Sequence, residues 1–422
     1  MNSSLGFDMA ETSPGTSLRA DEESGAVRWT RLAMMAGMYL FLASTYFSIA
    51  VNSLSLGLMA FAWVLLMLLR RQWHVSPTPL DLFFLAYLIV QAISTACSVD
   101  PTHSLQNSKR ILLIGLVYFL VTVLTDRRKI RRAFVVLHGS ATLVALIGVA
   151  KLLFGNPEET VRLGVFQFYM TTSGLMLIAA LLALPLAIHA STPGSVRWTI
   201  VASLVPILVV LYATVTRGAY LAFVGGAVFI AIARNRKLIL PIILLVFLGV
   251  LFAPPYIQGR MQSIVDLSHP ENLTRLTMWT SGLRIFADYP VVGVGDIDLG
   301  ELMRQYADPG YLGVWGHMHN IPLQFLVTHG ILGFVVVAAM LFMMAKTEWR
   351  IYRRVRAEWF EGSLALGVLA AFIGVLLHGL TEWSLGDQEI AVLVWTTLGL
   401  SLAVDNLSYV RDVAISRPKE GD

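Results

Sequence analysis

The chain has 422 residues, 56% of them hydrophobic and only 14% charged, with a mean hydropathy of +0.69. Soluble globular domains carry about a quarter charged residues, so this composition excludes one and indicates a polytopic, all-α membrane protein. The net charge of +4 matters less than its placement, and a single cysteine, Cys97, excludes an intramolecular disulfide.

Residues 1–27 are rich in Ser, Thr, Gly, Asp and Glu and read as a disordered cytoplasmic tail. The apolar block after them is long enough to span, so it reads as an uncleaved anchor. A crossing needs about 20 apolar residues, and helices are the natural choice because lipid offers backbone groups no partner. On that rule the sequence predicts twelve spans, near 30–50, 53–69, 80–98, 110–125, 133–154, 168–189, 198–216, 218–233, 238–254, 320–345, 362–383 and 388–405. Residues 28–254 then hold helices 1–9, 255–319 form a long outer loop, 320–405 hold helices 10–12, and 406–422 form a second cytoplasmic tail.

Charge sets the orientation. Basic residues follow every even-numbered span: Arg70 and Arg71, the run Arg127 to Arg132, Arg197, Arg234 to Lys237, Lys346 to Arg356, and Arg411 to Lys419. The positive-inside rule therefore puts both chain ends in the cytoplasm. Lys109, Arg110, Lys151, Arg162, Arg217, Arg260, Arg275, Arg284 and Arg304 are left on the far side. Topology does not explain them, so they are candidates for function.

Thr216-Arg217-Gly218 interrupts two apolar blocks at that outer surface. An arginine there either snorkels to headgroups or holds phosphate oxygens bidentately. In the loop, Leu276, Trp279, Leu283 and Phe286 share a helical face. This predicts an amphipathic helix on the membrane, with Arg275 at its start, Trp279 at headgroup depth and an end at Asp288-Tyr289-Pro290. Gly293-Val294-Gly295 reads as a flexible turn. His317-Met318-His319 lacks the companions of a zinc site, so no metal is expected and a general base is favoured. The outer carboxylates, Glu158, Glu159 and Glu382 among them, show no paired spacing, and Glu382 is a candidate partner for a site arginine.

Outer-face arginines beside a histidine suit an anionic lipid-linked substrate, with diphosphate the obvious group, and glycosyl transfer from a polyprenyl diphosphate. No Walker-type loop is present, which argues against nucleotide hydrolysis, and no nucleic-acid partner is expected. A lipid-linked sugar transporter or flippase is the alternative from another class. Transporters place ionisable groups at mid-membrane, whereas here the charges gather at one surface.

At these residues the chain resembles the bacterial O-antigen ligase, within the superfamily shared with O-antigen polymerases. The family signature of His, Asn/Ser/Gln, nine residues, Gly, two residues and Gly/Thr/Tyr is matched by His319-Asn320, Gly330 and Gly333. The run from Arg275 through Trp279 to Pro290-Val291-Val292-Gly293-Val294-Gly295 is similar to the superfamily's loop, and Thr216-Arg217-Gly218 to its other arginine motif. The resemblance implies a metal-independent, inverting transferase of the GT-C class in the bacterial inner membrane, without a cofactor and with its active site facing the periplasm. Undecaprenyl-diphosphate-linked O-antigen would be the donor and a lipid A–core sugar hydroxyl the acceptor, with membrane lipid around both. Arg217 and Arg275 would bind the diphosphate and His319 would be the base. His317, Arg284, Trp279 and Asn320 complete the expected substrate-binding set. An O-antigen polymerase is the nearest alternative.

Overall fold

The computed structural model describes residues 24–156, 161–264, 266, 268–308 and 316–416, with side chains in the last helix described as far as Tyr409. Glu158, Glu159, Arg417 and Lys419 lie outside the described residues. All regular structure among those described is helical. The helices are α1 (Gly25–Ser44), α2 (Ile49–Arg70), α3 (Asp81–Ala96), α4 (Pro101–Ser108), α5 (Gly115–Val123), α6 (Arg127–Phe154), α7 (Tyr169–Ile188) and α8 (Gly194–Ala213). They continue as α9 (Arg217–Arg234), α10 (Ile239–Leu251), α11 (Pro255–Gln262), α12 (Pro270–Asp288), α13 (Gly300–Tyr306), α14 (Ile321–Val355), α15 (Trp359–His378) and α16 (Gln388–Ser416).

Each of the twelve apolar blocks is helical. Among the described residues, however, only eight helices are long and apolar enough to cross a membrane: α2, α6, α7, α8, α9, α14, α15 and α16. A ninth results if Arg236–Leu251 and Pro255–Gln262, bent by 117°, count as one span. The other three blocks fall short for identifiable reasons. α1 carries Arg28 and Arg31 in its first two turns, α3 has 16 residues, and α5 has nine after a 3-10 run over Lys109–Ile114. Two boundaries also move: α1 begins at Gly25, inside the stretch read as a tail, and α16 runs to Ser416, past the end expected at 405. The composition and these apolar helices make the chain an integral membrane protein. α7 and α15 are the most enclosed of the long helices and form the centre against which the others pack.

One irregularity positions everything that follows. α14 is broken at Gly330, whose φ of 63° and ψ of −170° lie outside the helical region. Into the break runs the loop that follows α12. Val294 N–H donates to Val327 O at 3.0 Å and Gly295 N–H to Thr328 O at 2.9 Å, while Ile331 N–H donates to Pro290 O at 2.8 Å. Carbonyls freed by the kink are thus satisfied by another segment, as a membrane interior demands. A Cβ on Gly330 would strike the backbone of Val291, and one on Gly293 (φ 70°) the backbone of Thr328. Glycine is required at both crossings. The segment read as a flexible turn is a pinned backbone plug, held from the other side by Ser98 Oγ, which donates to Val294 O at 2.8 Å.

α12 also differs from expectation. It starts at Pro270, so Arg275 lies in its second turn, and it ends at Asp288 as the sequence predicts. Its buried side is Met278, Ser281, Gly282 and Ile285, packed on Met318 and Leu323, while Leu273, Leu276 and Leu283 remain exposed. That exposed apolar side suits a helix resting on lipid.

Candidate functional site

His319 stands immediately before α14, where Asn320 caps the helix by accepting from Leu323 N–H at 2.8 Å. The Asn320 amide donates to Leu380 O at 3.0 Å, and Ile321 N–H donates to Gly379 O at 2.6 Å. These bonds stitch the start of α14 to the segment following α15. They bring Glu382, 63 residues away in sequence, to 2.8 Å from His319 Nδ1, with both side chains buried. Both amide atoms of Asn320, an expected substrate contact, are thereby engaged in holding the backbone.

Burial pushes the Glu382 carboxyl up, but the hydrogen bond from His319 and the neighbouring imidazoles of His319, His378 and His317 outweigh it and hold it at about 2. Glu382 is therefore a carboxylate at neutral pH. Donation of Nδ1–H to it fixes the His319 tautomer in which Nε2 carries the lone pair. His317 lies against His319, with ring centroids 4.1 Å apart, and its Nδ1 accepts the His319 backbone N–H at 3.3 Å. Burial, reinforced by His319 and Arg110, pushes the His317 imidazole down to about 4. It is neutral in use.

The donor atoms of His317, His319 and Glu382 lie within 4.8 Å of one another, close enough to surround a cation. Yet each Nδ1 already serves a hydrogen bond, and the His319–Glu382 distance is a hydrogen-bond length rather than an arrangement around a metal. The geometry fits an oriented base without invoking an ion.

The second half of the site is an arginine cluster. Arg217, buried at the first position of α9, donates from Nη1 to Ser263 O and Oγ, both at 2.6 Å. Its Nη2 reaches Glu271 at 3.1 Å and the side-chain oxygen of Asn272 at 3.2 Å. Glu271 also receives both Nη atoms of Arg260, at 2.8 and 2.9 Å, and has Arg162 at 3.8 Å. Arg162 in turn lies 3.7 Å over the ring of Tyr169. Burial pushes the Glu271 carboxyl up, and Arg260, Arg162 and Arg217 together hold it below the usual carboxylate range. Arg275 forms no hydrogen bond or ion pair among the described residues, and its charge is felt at both Arg217 and His378. Three guanidinium groups thus gather around one carboxylate with the charge of Arg275 felt beside them, an excess that a multiply charged anion would neutralise.

Two contacts join the halves. Trp279, one turn beyond Arg275, donates its indole N–H to Met318 O at 3.0 Å, directly before His319. Gly218, next to Arg217, packs so closely on His378 and Thr381 that a Cβ would collide with Thr381. Each arginine-bearing helix therefore touches a neighbour of the His319–Glu382 pair. The backbone on both sides is strained: Val215 has φ 53° and His319 φ 47°, values rare outside glycine and costing about 1–3 kcal/mol each.

Arg284 is not part of this group. It pairs with Asp308 at 2.8 Å and donates to Tyr306 O at 2.9 Å on the exposed side of α12. Sequence reasoning named Arg162 and Arg260 only as unexplained cations and missed Glu271 and Asn272. Glu271 carries a weak signal, a carboxylate in the first turn of a helix that opens with Pro270.

A family model described as O-antigen ligase matches residues 202–338, the stretch from α8 into α14 that contains Arg217, Arg275 and His319. No curated protein matches the sequence. Among solved structures, the chain is similar to one from work on the structural coordination of polymerization and crosslinking by a peptidoglycan synthase complex. The identity is 17% and the TM-score 0.46, over 79% of this chain and 98% of that one.

Proposed function

We propose that this chain, which is similar to the O-antigen ligase family over residues 202–338, is an O-antigen ligase of the ligase/polymerase superfamily. It moves O-antigen glycan from undecaprenyl diphosphate to a lipid A–core sugar hydroxyl at the periplasmic face of the bacterial inner membrane. The twelve-crossing layout, with a catalytic loop over 255–319 between helices 1–9 and 10–12, belongs to this reading, as does the GT-C class. The observation that carries it is the Glu382-held imidazole of His319 beside two helices that bring Arg217 and Arg275.

In the proposed step, the acceptor hydroxyl gives its proton to His319 Nε2 as its oxygen bonds to the anomeric carbon of the donor. The bond from that carbon to the diphosphate oxygen breaks on the opposite face, so the configuration inverts. Glu382 stabilises the imidazolium that forms. Charge accumulating on the departing diphosphate is met by Arg217 and Arg275, with Arg162 and Arg260 alongside. No metal or other cofactor is required. Positioned cationic donors of this kind contribute about 10²–10³ each in rate, and a general base about 10²–10⁴.

The test is transfer by purified full-length protein supplied with both lipids. His319→Ala should lower the rate by about 10²–10⁴ with donor binding retained, and a fully active variant removes the mechanism. A strain lacking the protein separates ligase from polymerase. Loss of all O-antigen from lipid A–core supports the ligase, whereas single repeat units still attached to it would make the chain a polymerase.

A further inference from the structure

Seven of the nine far-side cations have partners or a place in the arginine cluster. Arg162, Arg217, Arg260 and Arg275 form that cluster, Arg284 pairs with Asp308, and Arg304 pairs with Glu301 at 2.7 Å. Lys151 donates to Val165 O. Lys109 and Arg110 remain, and neither side chain makes a hydrogen bond or an ion pair among the described residues. They stand at the polar end of a groove of about 740 Å³ between α2 and the 3-10 run that leads into α5, on elements the arginine cluster does not use.

The groove has the form of a lipid slot. Leu56, Met59, Leu113 and Leu116 line it. One end is closed by Trp63 set edge-on to Phe119, centroids 5.4 Å apart, and the other is spanned by Gln388 Nε2 donating to Ser53 Oγ at 3.0 Å. Ser53 and Trp63 are ten residues apart on one helix, about 15 Å at 1.5 Å per residue, roughly the depth of one leaflet. The cationic end leads to the candidate site. Asn107 and Arg110 also line a second cavity that reaches Trp383, the residue after Glu382. The charge of Arg110 is felt at His317.

We infer that this groove docks the acceptor: a phosphorylated, acyl-chained glycolipid with its chains between α2 and α5, its phosphate on Lys109 and Arg110, and its sugar turned toward His319. The inference rests on the ligase reading and deepens it. An inverting displacement requires the attacking hydroxyl to approach opposite the leaving diphosphate. If the arginine cluster holds that diphosphate, the second lipid must be anchored by other elements. A lysine and an arginine at headgroup level supply phosphate recognition, and the groove below them supplies the apolar slot.

Two variants test it in the purified full-length protein. Gly115 lines the groove, and a Cβ there would meet nothing within 4 Å, so a side chain can start at this position and Gly115→Trp is chosen to fill the slot. Lys109→Gln with Arg110→Gln removes the headgroup charges. Each should raise the apparent KM for lipid A–core by about ten-fold or more and leave that for undecaprenyl-diphosphate glycan within about two-fold. A rise in the donor KM instead would mean that the groove holds the polyprenyl tail. If neither KM moved, it would be an ordinary lipid contact. Either result overturns the inference. A photoreactive benzoylphenylalanine in place of Leu112, an exposed residue of the groove lining whose own side chain it replaces, irradiated in phosphatidylethanolamine vesicles, reads binding without turnover. Crosslinking to added lipid A–core and not to undecaprenyl diphosphate is expected. If His319→Ala keeps full activity while that crosslink forms, the mechanism fails and the docking site stands. Normal His319 dependence with no crosslink and unmoved KM values means that the docking site fails and the mechanism stands.

Discussion

Val215 and His319 hold left-handed backbone conformations, two residues before Arg217 and at the proposed base itself. Such strain persists only where surroundings impose it. Val215 is packed with Ala253 and Ile257, and His319 is gripped by Glu382. The grip is testable. Glu382→Gln keeps an oxygen acceptor for Nδ1–H but removes the charge that stabilises an imidazolium, so kcat should fall about 10²-fold with little change in either KM. An unchanged kcat would reduce Glu382 to a packing residue. The same pair makes stability depend on acidity. The folded carboxyl is depressed to about 2 from its ordinary 4.5, so its stabilising contribution is complete above 4.5 and is lost as pH falls from there toward 2. Between about pH 6 and about pH 3, the melting temperature should drop more steeply in the natural protein than in Glu382→Gln. His319, Arg217 and Arg275 were legible in the sequence because the first sits in a compact motif and the others are cations that topology leaves over. Of their carboxylate partners, Glu382 was singled out but as a partner for an arginine rather than for His319, and Glu271 was not. Glu382 and Glu271 lie 63 and 54 residues from His319 and Arg217, and only folding brings them together.

At the scale of elements, the kink in α14 separates pattern from cause. The run from 320 to 345 reads as one uninterrupted apolar helix, and the signature glycines read as a family mark. Their physical reason is the backbone segment Pro290–Gly295 crossing at Gly330, which becomes visible only when the two stretches meet. Gly330→Ala should therefore lower the melting temperature and abolish transfer together, because strain of about 1–3 kcal/mol is joined by collision with Val291. Gly249→Ala, where a Cβ would meet nothing within 4 Å, is the matched control and should change neither. A Gly330→Ala protein that melted and worked normally would mean that the crossing is dispensable. α12 teaches the same lesson in miniature. Periodicity selected Leu276, Trp279, Leu283 and Phe286, whereas the side that packs includes Ser281 and Gly282, residues too small to register in an apolar pattern.

For the whole molecule, the apolar blocks and the alternation of basic exits were enough to give an all-helical bundle with its long loop at one end. Block counting could not separate complete crossings from the rest, because α3 is short and α5 follows a 3-10 break, while α1 is full length but carries Arg28 and Arg31 in its first two turns. Orientation has a built-in reporter. Cys97 is the chain's one cysteine; it is exposed at the end of α3, next to Ser98, which binds the 290–295 plug. In spheroplasts, a membrane-impermeant maleimide should label Cys97 without permeabilisation. Labelling that required a disrupted membrane would turn the whole arrangement upside down.

Glu271 has a consequence for turnover. In the resting protein the guanidinium groups of Arg217 and Arg260 already clasp a carboxylate, so in the proposed reaction an arriving donor must displace an internal competitor. After transfer the same competitor stands ready to reclaim them and hasten departure of the spent carrier. Glu271→Gln should then tighten inhibition by undecaprenyl diphosphate and slow repeated cycles while sparing the first. Unaltered inhibition would leave the carboxylate as a brace between loop and bundle. An anion kept in reserve would let a strongly cationic pocket discharge its product as well as seize its substrate.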